Sequence, residues 1–155
     1  MKTLCTKTLS QIQKNQLLDL WHDQYPETLA YKNRQSFEDY LISLKSPQHT
    51  LVVDENGGIK GWLLKMIRDK SDWIAIVLDK SIQFQGYGSK LLDKVKAESD
   101  EINAWVVDHD NYKKADGSTY PSPLNFYIKN GFRVVPEERL DKTKITAVKI
   151  QWQKN

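Results

Sequence analysis

Apolar and polar positions alternate with a period near two over several short segments, and shift to helical spacing between them. Lys2 to Leu9 reads as an opening strand. Ser10 is placed to cap a helix carrying Ile12, Leu17, Leu20 and Trp21, which ends before Tyr25-Pro26. After a connector, Ser36 is expected to cap a second helix with Phe37, Tyr40, Leu41 and Leu44 on one face, closed by Ser46-Pro47. Thr50 to Val53 is a strand, Glu55-Asn56-Gly57-Gly58 a hairpin turn, Ile59 to Arg68 the returning strand, and Trp73 to Leu78 the next. Ser89 to Ser99 is helical, and Ile102 to Val107 is a strand. A polar loop, Asp108 to Pro121, precedes a helix with Tyr127, then strands from Phe132 to Val135 and Ile145 to Trp152. This order predicts an α+β domain spanning 1–155. Its core is a mixed, mostly antiparallel twisted central sheet of about six to seven strands flanked by about four helices.

The segment Gln83-Phe84-Gln85-Gly86-Tyr87-Gly88-Ser89-Lys90 lies between a strand and a helix. Backbone N–H groups converge at such a junction, the helix dipole adds partial positive charge, and glycine lets the backbone approach a bulky anion. The segment therefore reads as a phosphate cradle. It is not a P-loop, because Ser89 separates Gly88 from Lys90 and no glycine opens the loop. It is not the dinucleotide fingerprint, because Leu91 stands at the third glycine's place.

What remains is Gln-x-x-Gly-x-Gly, in Gln83, Gly86 and Gly88. About forty residues later comes Pro123-Leu124-Asn125-Phe126-Tyr127-Ile128-Lys129-Asn130-Gly131-Phe132, with a Tyr-x-x-x-Gly-Phe ending. In this order the two motifs resemble those of the GNAT N-acetyltransferase superfamily, from about Leu51 onward. The resemblance implies a sheet splayed between its fourth and fifth strands, and acetyl-CoA as cosubstrate. It implies a cofactor site from Gln83, Phe84, Gln85, Gly86, Tyr87, Gly88, Ser89 and Lys90, with the strand residues Ile76, Val77 and Leu78. The loop amides would hold the pyrophosphate, and the backbone of Ile76 and Leu78 would pair with the pantetheine arm. Tyr127 would protonate the leaving thiolate. For the general base the candidates are Asp72, eleven residues before Gln83, and His109, flanked by Asp108 and Asp110. A water chain is the alternative to either. Many relatives carry asparagine and alanine seven and four residues before the tyrosine, where Tyr120 and Pro123 stand here. By analogy, the connector with Tyr25, Glu27, Tyr31 and Arg34 and the loop from Asp108 to Pro121 would wall the acceptor.

The implied activity is acetyl transfer from acetyl-CoA to a primary amine, on a small molecule or peptide, by direct transfer in a ternary complex. No metal is assigned. Cys5 lies outside every motif and suggests no covalent intermediate. A non-catalytic acyl-CoA sensor or interaction module on the same fold is the second reading. Net charge is +3 over 155 residues, a mild excess that favours a polyanionic cosubstrate. Lys113, Lys114, Lys142, Lys144, Lys149 and Lys154 are interleaved with acidic residues, so no nucleic-acid partner is expected. A lone cysteine and the lack of an apolar leader or membrane-length run point to the cytoplasm and to no membrane partner. The final strand, near Ile150 and Trp152, is expected to be exposed and able to pair in a homodimer.

Overall fold

The computed structural model describes residues 1–155. Its strands are β1 (Lys2–Thr6), β2 (Gln48–Val53), β3 (Ile59–Arg68), β4 (Ser71–Leu78), β5 (Glu101–Val106), β6 (Arg133–Asp141) and β7 (Thr146–Gln153). Its helices are α1 (Gln11–Gln24), α2 (Arg34–Ser43), α3 (Tyr87–Glu98) and α4 (Leu124–Lys129). The strands form one 7-stranded sheet in the order β1-β2-β3-β4-β5-β7-β6. Only β4 and β5 run parallel. No helix is long and apolar enough to cross a membrane.

Period-two alternation assigns each strand's side chains to two cores. Along β3, Trp62, Leu64 and Met66 face α1 and α2, whereas Leu63 faces the other side. Along β4, Trp73 and Val77 join Leu17, Leu20, Trp21 and Phe37 under α1 and α2. Ile74 joins Leu91, Leu92, Val95, Tyr127 and Phe132 under α3 and α4. The sheet is thus covered on both faces.

Local signals set the ends of the elements. Ser10 caps α1 by accepting from the Gln13 N–H, and the Gln13 side chain accepts in return from the Ser10 N–H. The cap of α2 is Asn33, near the end of the expected connector, and Ser36 is its reciprocal partner rather than the cap itself. The β2–β3 turn is tied by Asp54, whose carboxylate accepts from the N–H groups of Asn56 and Gly58. β6 runs further than the expected four residues. Its register shifts between Val135 and Arg139, around Pro136, which has no N–H to give to the ladder. The last strand is not an edge: β7 is hydrogen-bonded to β5 on one side and β6 on the other, and Ile150 is fully buried. The expectation of a free final strand is corrected, and the edges are β1 and β6.

α4 ends in a Schellman arrangement. The Phe132 N–H donates to the Tyr127 carbonyl at 3.1 Å and the Gly131 N–H to the Ile128 carbonyl at 3.0 Å. Gly131 takes φ +89°, and a Cβ there would lie 3.4 Å from Trp152. Gly131→Ala is expected to cost about 1–2 kcal/mol, read as a lower midpoint in denaturant melts. Because Tyr127 lies three residues before the cap, this stop also fixes where its ring points.

His49 is buried beneath the α1–α2 face and its Nδ1 accepts from the Trp62 indole N–H at 3.1 Å. Burial pushes its pKa down to about 4. The unfolded imidazole, near pH 6.5, takes up a proton before the folded one does. Stability is therefore complete above about pH 6.5 and falls toward pH 4, by up to about 3 kcal/mol. His49→Gln, which keeps an acceptor for Trp62, is expected to flatten that part of the melting-temperature profile.

Candidate active site

β4 and β5 pair only at Asp72↔Ile102 and Trp73↔Asn103. Beyond that point they part, and the β5 side of β4 lies open. The closed end is held by side chains. Asn103 donates to the Asp72 carbonyl and accepts from Gln151, which in turn accepts from Arg133.

Backbone direction along β4 alternates with the same period as its side chains. The Asp79 N–H donates to the Lys60 carbonyl, so Asp79 and Val77 point toward β3, while Ile76 and Leu78 point into the splay. The side-chain bonds agree. The Ile76 carbonyl accepts from the Tyr25 hydroxyl at 3.2 Å, and the Leu78 carbonyl from the Gln83 amide at 2.9 Å. Val77 differs from its neighbours: its backbone is committed to β3 and its side chain is buried under α1. Of the three strand residues singled out by the sequence, Ile76 and Leu78 present backbone groups to the opening and Val77 does not.

At the open end the chain turns through a short 3₁₀ segment, Lys80–Ile82, into the loop before α3. Asp79 caps that turn through Ser81, and this bonding together with Lys60 and Lys80 lowers its pKa against the opposing effect of burial. The N–H groups of Phe84, Gln85, Gly86, Tyr87, Gly88 and Ser89 donate to no group of the chain; the first bond of α3 is Lys90 N–H to the Gly86 carbonyl. Gly86 takes φ +89° and a Cβ there would meet open space, so the surface above it is free for a bulky anion. Gly88 serves differently. A Cβ on it would come within 2.8 Å of the Phe126 ring, so this glycine allows α3 to pack on α4. Phe84 takes φ +62° and its side chain is fully exposed. Lys90 lies back over the Tyr87 ring at 5.5 Å. Phe84 and Gln83 line one side of a cleft of 610 Å³, and Ala115 and Asp116 line another.

Tyr127 is buried and packs edge-on against Phe126 and Phe132. Burial, with the neighbouring Tyr120, raises its pKa, so the phenol stays protonated. Its hydroxyl has no partner in the chain and is not sealed off from solvent.

The two candidate bases lie in different settings. Asp72 sits at the closed end, four residues before Ile76, or roughly 13 Å along an extended strand. Its carboxylate accepts from Ser99 at 2.7 Å and lies 3.9 Å from Lys65. His109 lies in the loop after β5, three residues beyond Val106. Its Nδ1 accepts from the Asn111 N–H, so Nε2 carries the proton and donates to Thr146. Neither ring nitrogen is left with a free lone pair. The flanking aspartates are also engaged: Asp108 pairs with Arg139, and Asp110 accepts from the Ser122 N–H.

The connector after α1 and the loop after β5 are in contact. The Glu27 N–H donates to the Lys113 carbonyl, Lys114 donates to Gln24, and the rings of Tyr25 and Tyr120 lie 6.3 Å apart. Gln24 also accepts from Gln83, linking α1 to the loop. The sequence reading missed this Gln24–Gln83 link. Gln24 stands at the last position of α1, and no motif in the sequence marks it.

The chain belongs to the GNAT acetyltransferases: the family model described as an acetyltransferase (GNAT) domain matches residues 46–134. Among solved structures, it is similar to an aminoglycoside 6′-N-acetyltransferase complexed with coenzyme A, with TM-score 0.72 and 16% identity, covering 99% of this chain and 97% of that one. It is also similar to the aminoglycoside 6′-N-acetyltransferase from Enterococcus faecium, with TM-score 0.69, 15% identity and coverage of 99% and 97%. A GNAT-family acetyltransferase from Staphylococcus aureus gives TM-score 0.68 at 18% identity, covering 98% and 99%. Similarity at these identities establishes the shared fold. No curated protein sequence matches the chain. The cosubstrate of the family is acetyl-CoA, and the residues of the glycine loop fit it: unpaired donors from Phe84 to Ser89 and free space over Gly86 suit a pyrophosphate.

Proposed function

We propose that this protein is an N-acetyltransferase that transfers the acetyl group of acetyl-CoA to a primary amine, directly, in a ternary complex. The observation that carries the reading is the run of unpaired backbone N–H groups from Phe84 to Ser89 at the mouth of the parted strands. The loop amides hold the pyrophosphate, with the dipole of α3 adding to them. Ile76 offers its N–H along the open edge, positioned to align the pantetheine arm and to polarise the thioester, while its carbonyl is held by Tyr25. Acetyl-CoA supplies an activated acyl carbon on a thiol leaving group. The amine nitrogen bonds to that carbon, the C–S bond breaks, and Tyr127 gives its proton to the departing sulfur and is reprotonated from water. The amine's own proton leaves to water, because Asp72 and His109 are both occupied elsewhere. Lone Cys5 accords with action in a reducing cytoplasm.

The same occupied bases favour a second reading, a sensor that binds acyl-CoA without turnover. Isothermal titration of acetyl-CoA followed by a panel of amines separates the two. Micromolar binding with release of free thiol supports the enzyme. Binding with no thiol release from any amine supports the sensor, and no binding removes both.

A further inference from the structure

Tyr25 lies at the open edge of β4 with Tyr120 and Tyr127 near it, and Tyr31 and Tyr40 extend the cluster back into the core under α1 and α2. Trp21 stands among them, with ring centroids 4.3 Å from Tyr25, 5.3 Å from Tyr31 and 6.3 Å from Tyr40. Tyr120 reaches across from the loop after β5 to lie 6.3 Å from Tyr25. The Tyr25 hydroxyl is the one bonded within the chain, to the Ile76 carbonyl. Burial keeps all of these phenols protonated. The only other groups that bear on them are one another and, at Tyr40, the Arg68 guanidinium. No carboxylate accepts from any of these phenols, and Glu27, in the same connector, is exposed. The carboxylates near the mouth, Asp23, Asp79 and Asp116, line the outer cleft with Lys80, and two of them already accept from Ser81 and Ser118.

We propose that the acceptor is a monoamine carried on an aromatic body, an arylalkylamine in class, seated against this tyrosine wall with its nitrogen at the Ile76 edge. The inference rests on the acetyltransferase reading. Planar bodies stack on aromatic faces, and a single ammonium is held by ring faces and phenol oxygens until it loses its proton. A polyamine or aminoglycoside carries several ammonium groups. Each would be desolvated at this wall with no counter-charge, which disfavours it. The Tyr25–Ile76 hydrogen bond fixes the innermost ring and leaves the phenol oxygen able to accept from the incoming N–H.

The test measures thiol release from acetyl-CoA with phenethylamine, tyramine, spermidine and kanamycin. Phenethylamine is expected to exceed spermidine by about tenfold or more in kcat/KM. Tyr120→Ala is expected to raise the phenethylamine KM about tenfold with kcat little changed, Tyr120→Phe to restore it, and Asp23→Asn to change nothing. Faster turnover of spermidine or kanamycin, lost in Asp23→Asn, would place the acceptor at the acidic outer cleft and overturn the proposal. Where acetyl-CoA binds but no amine is acetylated, phenethylamine is titrated into the CoA-saturated protein by intrinsic fluorescence. Saturable quenching weakened by Tyr120→Ala supports the wall as an arylalkylamine site. Its absence overturns the wall while leaving the cofactor site standing. Failure of acetyl-CoA itself to bind overturns both.

Discussion

Gly86→Glu is expected to lower acetyl-CoA affinity by at least about a hundredfold in isothermal titration, with the protein still folded. Two effects combine. Gly86 holds φ +89°, a conformation that costs a non-glycine residue about 1–2 kcal/mol. A carboxylate placed there would also lie among the N–H groups that the pyrophosphate needs, and would repel it. Gly86→Ala separates the two effects. It carries the backbone strain without the charge, into space that is open, and should lose much less affinity while losing similar stability. Equal affinity for wild type and Gly86→Glu would show that the loop is a turn and nothing more.

Tyr127→Phe is expected to reduce kcat about a hundredfold while leaving acetyl-CoA affinity within about twofold. The phenol is buried and its pKa is raised, so it remains a proton donor through neutral and mildly alkaline pH. The tyrosine itself should impose no alkaline limb there. Its hydroxyl has no partner in the chain, so phenylalanine strands no donor or acceptor, and stability should be unchanged or slightly higher. A thiol leaving group with a lowered pKa offers an internal check. The variant should recover rate on such a thioester, because protonation of sulfur matters less. Full turnover on acetyl-CoA would remove Tyr127 from the chemistry.

Much of this arrangement is legible before any coordinates. The strand order follows from period-two runs such as Trp73 to Leu78, and the helix ends from Ser10 and Gly131, because these signals are local. The capping of α2 was misplaced because Asn33 and Ser36 form a reciprocal pair, and from sequence either member looks like the cap. The final strand was misjudged because its partner β6 follows the crossover through α4, so pairing order depends on the whole sheet. The occupation of His109 by Asn111 and Thr146, and of Asp72 by Ser99, is likewise invisible in sequence. Each bond joins a motif residue to an unremarkable polar neighbour, and two of the three span more than twenty-five residues. The tyrosine wall belongs to the same class. Tyr25 and Tyr120 are ninety-five positions apart in number and 6.3 Å apart in space.

The contact between Gly88 and Phe126 has an evolutionary consequence. It fastens the helix that begins at the cofactor loop to the helix that bears Tyr127, and Phe126 is the immediate neighbour of that tyrosine in both sequence and space. A side chain gained at 88 would displace the Phe126 ring and, through it, the proton donor. The two positions are therefore expected to drift as a linked pair among descendants of this chain. A larger residue at 88 would be retained only in lineages that have already trimmed the ring at 126.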